Sequence, residues 1–200
     1  MDTQNALIQW KKSIGEYSRK ALESAAEALS RLTGETVIVE NASIDVINPD
    51  EAFYIVQSEA ESFTVIRHSI DGKMAGDILL VISADQTNIL IEHVVRHGAL
   101  GTVSDEVRYS ILGELGNVVS SSYITVMGDS FSILLLPTVP QMHSVTRPDG
   151  IEDLLGNGSR CYDYALMLAN DFFVGDDRVR IYFIFLISQD SVELFSGELA

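Results

Sequence analysis

The chain is poor in cysteine, lysine and proline, and it has no long apolar run. One cysteine, Cys161, leaves no partner for an internal disulfide, which fits a reducing compartment and reads as an inert buried thiol. Only four lysines occur, scattered through the sequence, and 13 basic residues stand against 29 acidic ones for a formal net charge of −16. Phosphate backbones are gripped by clustered lysine and arginine, so this balance argues against a nucleic-acid face. The acidity itself fits either a salty cytoplasm or simple solubility. No stretch reaches the roughly 18 apolar residues of a membrane span. The opening MDTQNALIQWKKSIG also lacks the cationic-then-apolar pattern of an export signal. The expectation is a cytoplasmic protein without a membrane segment.

What is present suffices for one packed domain, since 46% of the residues are hydrophobic. Over residues 5–32 the apolar positions Leu7, Trp10, Ile14, Tyr17, Ala21, Ala25, Ala28, Leu29 and Leu32 follow helical spacing, and Gly34 supplies the stop. Strand-like runs follow at 36–47, 52–56 and 62–70, and the Asp71-Gly72 turn signal suggests a hairpin with 74–83. A helix then opens at Ser83 or Asp85 and closes at Gly98. The second half runs through the same order. It has a helix over about 105–127, strands in FSILLLPTVP, RCYDYALMLA and RVRIYFIFLIS, and a last helix from Asp190.

The halves read as copies. Ile14, Tyr17, Ala21 and Ala28 recur as Leu112, Leu115, Val119 and Val126, 98 residues on, and VISAD (81–85) recurs as LISQD (186–190), 105 residues on. The difference is assigned to the turn-rich RPDGIEDLLGNGSR, 147–160. Two helix-strand-strand-strand-helix repeats, about 5–98 and 103–198, with no linker between them, predict a single α+β domain over 1–200. It should have pseudo-twofold symmetry, a mostly antiparallel sheet and long helices packed against it. The alternation within the strands predicts burial on one face only. A duplicated chain supplies its own twofold pairing, so a monomer is expected.

On the helix of the second repeat, Ser110, Glu114 and Asn117 stand at i, i+4 and i+7 and form one polar stripe. Such stripes are commonly just the solvated side of an amphipathic helix. Here, however, Gly113 and Gly116 flank the carboxylate and the carboxamide, and each glycine costs a helix interior about 1 kcal/mol relative to alanine. Two explanations are open: close approach of another macromolecule, or close packing inside the domain. Pro137 and Pro140 fall in the following strand, where proline is tolerated only at an edge or bulge, so they mark an unpaired border near the helix.

The spacing Ser110, Glu114, Asn117 and Pro140, with the flanking LGELGNV and, in the first half, AEALSRLTGETVIV, resembles the active-site pattern of the CheC/CheX/FliY family of chemotaxis phosphatases. The closest likeness is to CheC-like two-repeat members with one intact site. The resemblance implies a hydrolase acting on the aspartyl phosphate of a CheY-like response regulator, with Mg2+ carried by that receiver and no cofactor bound by this chain. It implies that Glu114 and Asn117 are catalytic and that Ser110, Gly113, Gly116 and Pro140 support them. A carboxamide can accept from the attacking water and donate to the phosphoryl group without adding negative charge beside an anion. Glu114, one turn away, would pair with the receiver's lysine. The first-half equivalents are Lys12, Glu16, Arg19 and Ala42, a degenerate site in which only the glutamate survives, so one working site is expected. The alternative implied by the same resemblance is a non-catalytic adaptor that binds CheD or a receiver. A flagellar switch component is disfavoured because no switch domain follows the second repeat.

Two further candidates are read as structural. His93 and His97 are i, i+4 on a helix, yet no third metal ligand stands at suitable spacing. Gly175-Asp176-Asp177 reads as a turn and not as a cation loop. His68 and His143 are assigned no role.

Overall fold

A computed structural model describes residues 3–71, 75–131, 134–146 and 162–192. In chain order these form α1 (Thr3–Thr33), β1 (Val37–Ile47), α2 (Pro49–Glu59), β2 (Ser62–Asp71), β3 (Gly76–Ser83), α3 (Ala84–His97), α4 (Asp105–Phe131), β4 (Leu136–Pro137), β5 (Gln141–Thr146), β6 (Tyr164–Val174) and β7 (Asp177–Ile187). Cys161, the insertion at 147–160 and Gly72 of the expected turn lie outside the described residues, as does the last helix beyond its opening turn at 189–192.

Among the described residues, seven strands make one antiparallel sheet in the order β1-β6-β7-β3-β2, with β4 and β5 both on the outer edge of β2. The two repeats are interlocked in it. The first strand of the first repeat pairs with β6 of the second, and β5 of the second pairs with β2 of the first. At the centre β3 meets β7, and Leu79 lies directly opposite Ile184, its own counterpart 105 residues on. The pseudo-twofold axis of the duplication therefore passes between these two residues.

Burial on both faces replaces the one-sided sheet expected from the strand alternation. Ile66, Ile70, Ile78, Leu80, Phe183 and Phe185 pack under α1, α3 and α4. The alternate residues Val65, Leu79, Val81, Tyr182 and Ile184 pack with Ala52, Phe53 and Val56 of α2 on the other face. Central strands with two covered faces carry near-continuous apolar runs, as in DILLVIS and RIYFIFLI.

The second correction concerns α2 itself, because residues 52–56 were expected to be a strand. The Asn48 side chain accepts from the Glu51 amide at 2.8 Å, Pro49 occupies the first turn, and Asp50 and Glu51 complement the helix dipole. Those local start signals outweigh the strand propensity of AFYIV. The first repeat is accordingly helix-strand-helix-strand-strand-helix. The expected cap of α3 is in place: Ser83 accepts from the Gln86 amide at 3.3 Å, and Gly98 ends the helix.

Candidate functional site

The two long helices superimpose their burial on the 98-residue offset. Ser18, Ala21, Leu22, Ala25 and Ala26 of α1 are buried, and so are Gly116, Val119, Ser120, Tyr123 and Ile124 of α4. On the opposite side of α4, Ser110, Glu114 and Asn117 are all exposed, as the stripe predicts. Their α1 counterpart Arg19 is exposed as well, while the side chains of Lys12 and Glu16 lie outside the described residues.

The flanking glycines divide between the two explanations. A Cβ on Gly116 would stand 2.6 Å from Ile66 Cδ1 and 2.8 Å from its Cγ2, and Ile66 is fully buried in β2. Gly116 thus lets α4 lie directly on the sheet, the second of the two explanations left open by the sequence. A Cβ on Gly113 would meet only Met142 Cε, at an ordinary 3.7 Å, so its absence is not required by packing.

These contacts also place the start of β5. Met142 pairs with Ile66 across β2 and β5, Ile66 packs against Gly116, and the Met142 methyl lies over the open side of Gly113. The Met142 end of β5 therefore faces the Gly113–Gly116 turn of α4, and half-buried Pro140 stands two residues earlier in the chain. The expected strand at 131–140 is largely replaced: α4 runs on to Phe131, β4 is two residues long, and the main ladder forms after Pro140 in QMHSVT. Prolines lacking an amide hydrogen break the ladder there. The exposed Leu134, Leu136 and Val139 stand along this border.

A positioning residue that sequence reasoning passed over is His68. It is buried on β2, and its Nδ1 lies 3.1 Å from the Thr138 carbonyl, to which the protonated nitrogen donates. The Thr138 amide donates to the Ser69 carbonyl at 2.8 Å, and the Thr138 hydroxyl accepts from the Ser69 amide at 3.0 Å. Three hydrogen bonds thus pin the segment between the two prolines. Burial lowers the His68 pKa below 6.5, an effect partly opposed by the Thr138 bond. No signal in the local sequence revealed this role, because the partner is 70 residues away.

The other histidine site resolves differently from a metal pair. His93 is buried, with Nδ1 2.7 Å from Glu35 and Nε2 2.9 Å from Asp177. Both ring nitrogens are thereby occupied, joining the α1–β1 connection to the start of β7. Gly175, at φ +60, forms the tight turn that delivers Asp177, as the sequence led one to expect of Gly175-Asp176-Asp177. His97 packs against Gly34.

No family model matches the sequence. Among solved structures, FliY from Thermotoga maritima superposes with a TM-score of 0.72 at 18% identity, over 94% of each chain. The FliM middle domain from H. pylori gives 0.63 at 14% identity, over 95% of this chain and 98% of that one. Chemotaxis protein CheX from Vibrio vulnificus gives 0.54 at 14% identity, over 85% of this chain and 99% of that one. The likeness covers nearly the whole chain, including both repeats, so the fold of this protein is the one shared by FliY, the FliM middle domain and CheX.

Proposed function

We propose that the chain is a phosphatase for the aspartyl phosphate of a CheY-like receiver in chemotaxis or another two-component pathway. The observation that carries this reading is the exposed Ser110, Glu114 and Asn117 stripe on α4. The Asn117 carboxamide accepts a hydrogen bond from water and holds it in line with the acyl phosphate. The water oxygen forms the new bond to phosphorus, the bond from phosphorus to the aspartyl oxygen breaks, and the receiver's carboxylate leaves. Inorganic phosphate carries away the water oxygen. Little else is asked of this protein, because the receiver brings its own magnesium, lysine and hydroxyl to a reaction governed by positioning and charge. Glu114 sets the docking register by pairing with the receiver's lysine.

Decay of a phosphorylated receiver with and without the protein tests the reading, and equal decay rates would reject it. A second reading, a partner-binding module without catalysis, is favoured by the FliM structures solved with FliG and with SpeE from H. pylori. CheD is a candidate partner for such a module. Under that reading Asn117→Ala changes neither binding nor any turnover.

A further inference from the structure

Tyr109 stands seven residues before Gly116, on the same line of α4. That line faces the sheet at Gly116, which lies against buried Ile66. Two turns earlier the cover has run out, and Tyr109 is 57% exposed. Its counterpart 98 residues back, Lys11, is tied to Asp45 on β1 at 3.3 Å, whereas Tyr109 has no hydrogen bond or ring contact among the described residues. One exposed ring needs no explanation by itself. This one adjoins a second gap. Gly113, one turn on, leaves its stretch of α4 bare although a Cβ there would meet only Met142 Cε at 3.7 Å, and a side chain at 113 would lean back toward Tyr109. Val107, the other exposed large apolar side chain of α4 among the described residues, falls on the far flank of the Ser110, Glu114 and Asn117 stripe.

Resting on the receiver reading, we propose that Tyr109 is a specificity-determining residue of this site. Its ring and the bare turn at Gly113 form the seat for an apolar side chain that the receiver presents beside its phosphorylated aspartate. Beyond the pair made by Glu114, charge gives this docking little, because a chain of net charge −16 repels a phosphorylated protein overall. Docking on the stripe therefore needs apolar contact next to it. The stripe offers only a hydroxyl, a carboxylate and a carboxamide, and Tyr109 directly adjoins Ser110 in the chain. A tyrosine ring supplies a large contact area with few rotatable bonds to freeze, and anchors of that kind carry much of the energy of protein interfaces. The ring meets the receiver away from the reacting atoms, so it stabilises the docked receiver and the transition state alike. Its loss costs affinity and spares the chemical step.

The test is steady-state dephosphorylation of an acetyl-phosphate-charged CheY-type receiver by the full chain, followed over a range of receiver concentrations. We expect Tyr109→Ala to raise the concentration for half-maximal turnover by about tenfold or more and to leave the maximal rate unchanged. Tyr109→Phe, which keeps the ring, should behave as the parent, and Val107→Ala, from the far flank, should change neither value. Adding Gly113→Ala to Tyr109→Ala should raise the half-maximal concentration by less than the product of the two single effects, because both residues form one seat. Tyr109 and Val107 are exposed, so circular dichroism of their variants should match the parent. An unchanged half-maximal concentration in Tyr109→Ala overturns the proposal. So does a loss confined to the maximal rate, a loss that Val107→Ala reproduces, or effects at 109 and 113 that simply multiply. A parent that leaves receiver decay unchanged rejects the phosphatase reading and this role with it, whereas an active parent indifferent to Tyr109→Ala rejects this role alone.

Discussion

The α1 and α4 faces share a scaffold and differ in chemistry. Five buried positions correspond one to one between the helices, yet the exposed carboxamide of Asn117 is replaced by the guanidinium of Arg19. Packing holds the backbone of a duplicated helix in place, because every buried side chain touches several neighbours. Nothing comparable holds an exposed stripe, so one substitution there exchanges a carboxamide, which can accept a hydrogen bond from water, for a guanidinium, which cannot. The comparison breaks if Asn117 is dispensable. Asn117→Ala should lower the dephosphorylation rate by about 100-fold or more, the usual effect of losing one aimed hydrogen-bonding group, while receiver binding persists. Rates come from phospho-receiver decay, and binding from the beryllofluoride form. Glu114→Ala should weaken binding as well as rate.

The second expected effect concerns the packing half of the comparison. Gly116→Ala places a Cβ 2.6 Å from the buried Ile66, and the beta-branched Ile66 has little freedom to turn aside. Overpacking of this kind costs about 1–3 kcal/mol, more than the ~1 kcal/mol gained from helix propensity. Urea denaturation should show a lower midpoint at unchanged slope. A midpoint at or above that of the parent would show that α4 can ride higher on the sheet.

How much of this was legible depended on how local the cause was. The α3 cap, the β2–β3 hairpin and the Ser110, Glu114 and Asn117 stripe rest on residues within a turn or two of one another, and the sequence shows them. The α2 helix is equally local, set by Asn48, Pro49 and Glu51, but the apolar run AFYIV carries strand propensity that masks the cap before it. Burial of the sheet on both faces depends on a helix that the strand assignment had removed. The exchange of β1 and β5 between repeats, the seat of Gly116 on Ile66 and the bond from His68 to Thr138 each join residues 50 or more apart. Spacing along the chain carries no trace of those. Of the candidate site, the exposed trio was readable, and the purpose of each glycine was not.

His68 sharpens the comparison on the α4 side, where it pins the border carrying Pro140. Its folded-state pKa is depressed, so as pH falls through about 6.5 the unfolded chain takes up the proton before the native ring does. The stability this histidine contributes is therefore present above its unfolded pKa and lost as pH falls toward the folded one. Between about pH 7 and pH 5 the parent should lose stability more steeply than His68→Gln, which keeps a donor for Thr138 but does not titrate. Urea midpoints at several pH values make the measurement, and parallel slopes for the two proteins would remove His68 from the account. The buried Asp171 titrates lower. Its hydrogen bond to Arg180, aided by Arg178, holds its carboxyl below the usual range, so its loss belongs to more acidic solution.

The smallest effect separates the two glycines. At Gly113 a Cβ would make an ordinary contact 3.7 Å from Met142, and no positive φ is involved. Alanine there should therefore stabilise the fold by about 0.5–1 kcal/mol, through helix propensity and a less flexible unfolded chain. If the gap exists for a docked receiver, the same substitution should raise the receiver concentration needed for half-maximal turnover, because the added methyl stands in the turn between Ser110 and Asn117. A more stable chain with weaker substrate binding would mean that Gly113 is kept at the expense of stability for the partner's approach. If Gly113→Ala is more stable and turns over phospho-receiver as the parent does, that glycine has no part in docking, and the stripe must be engaged from further along the Leu134–Pro140 border.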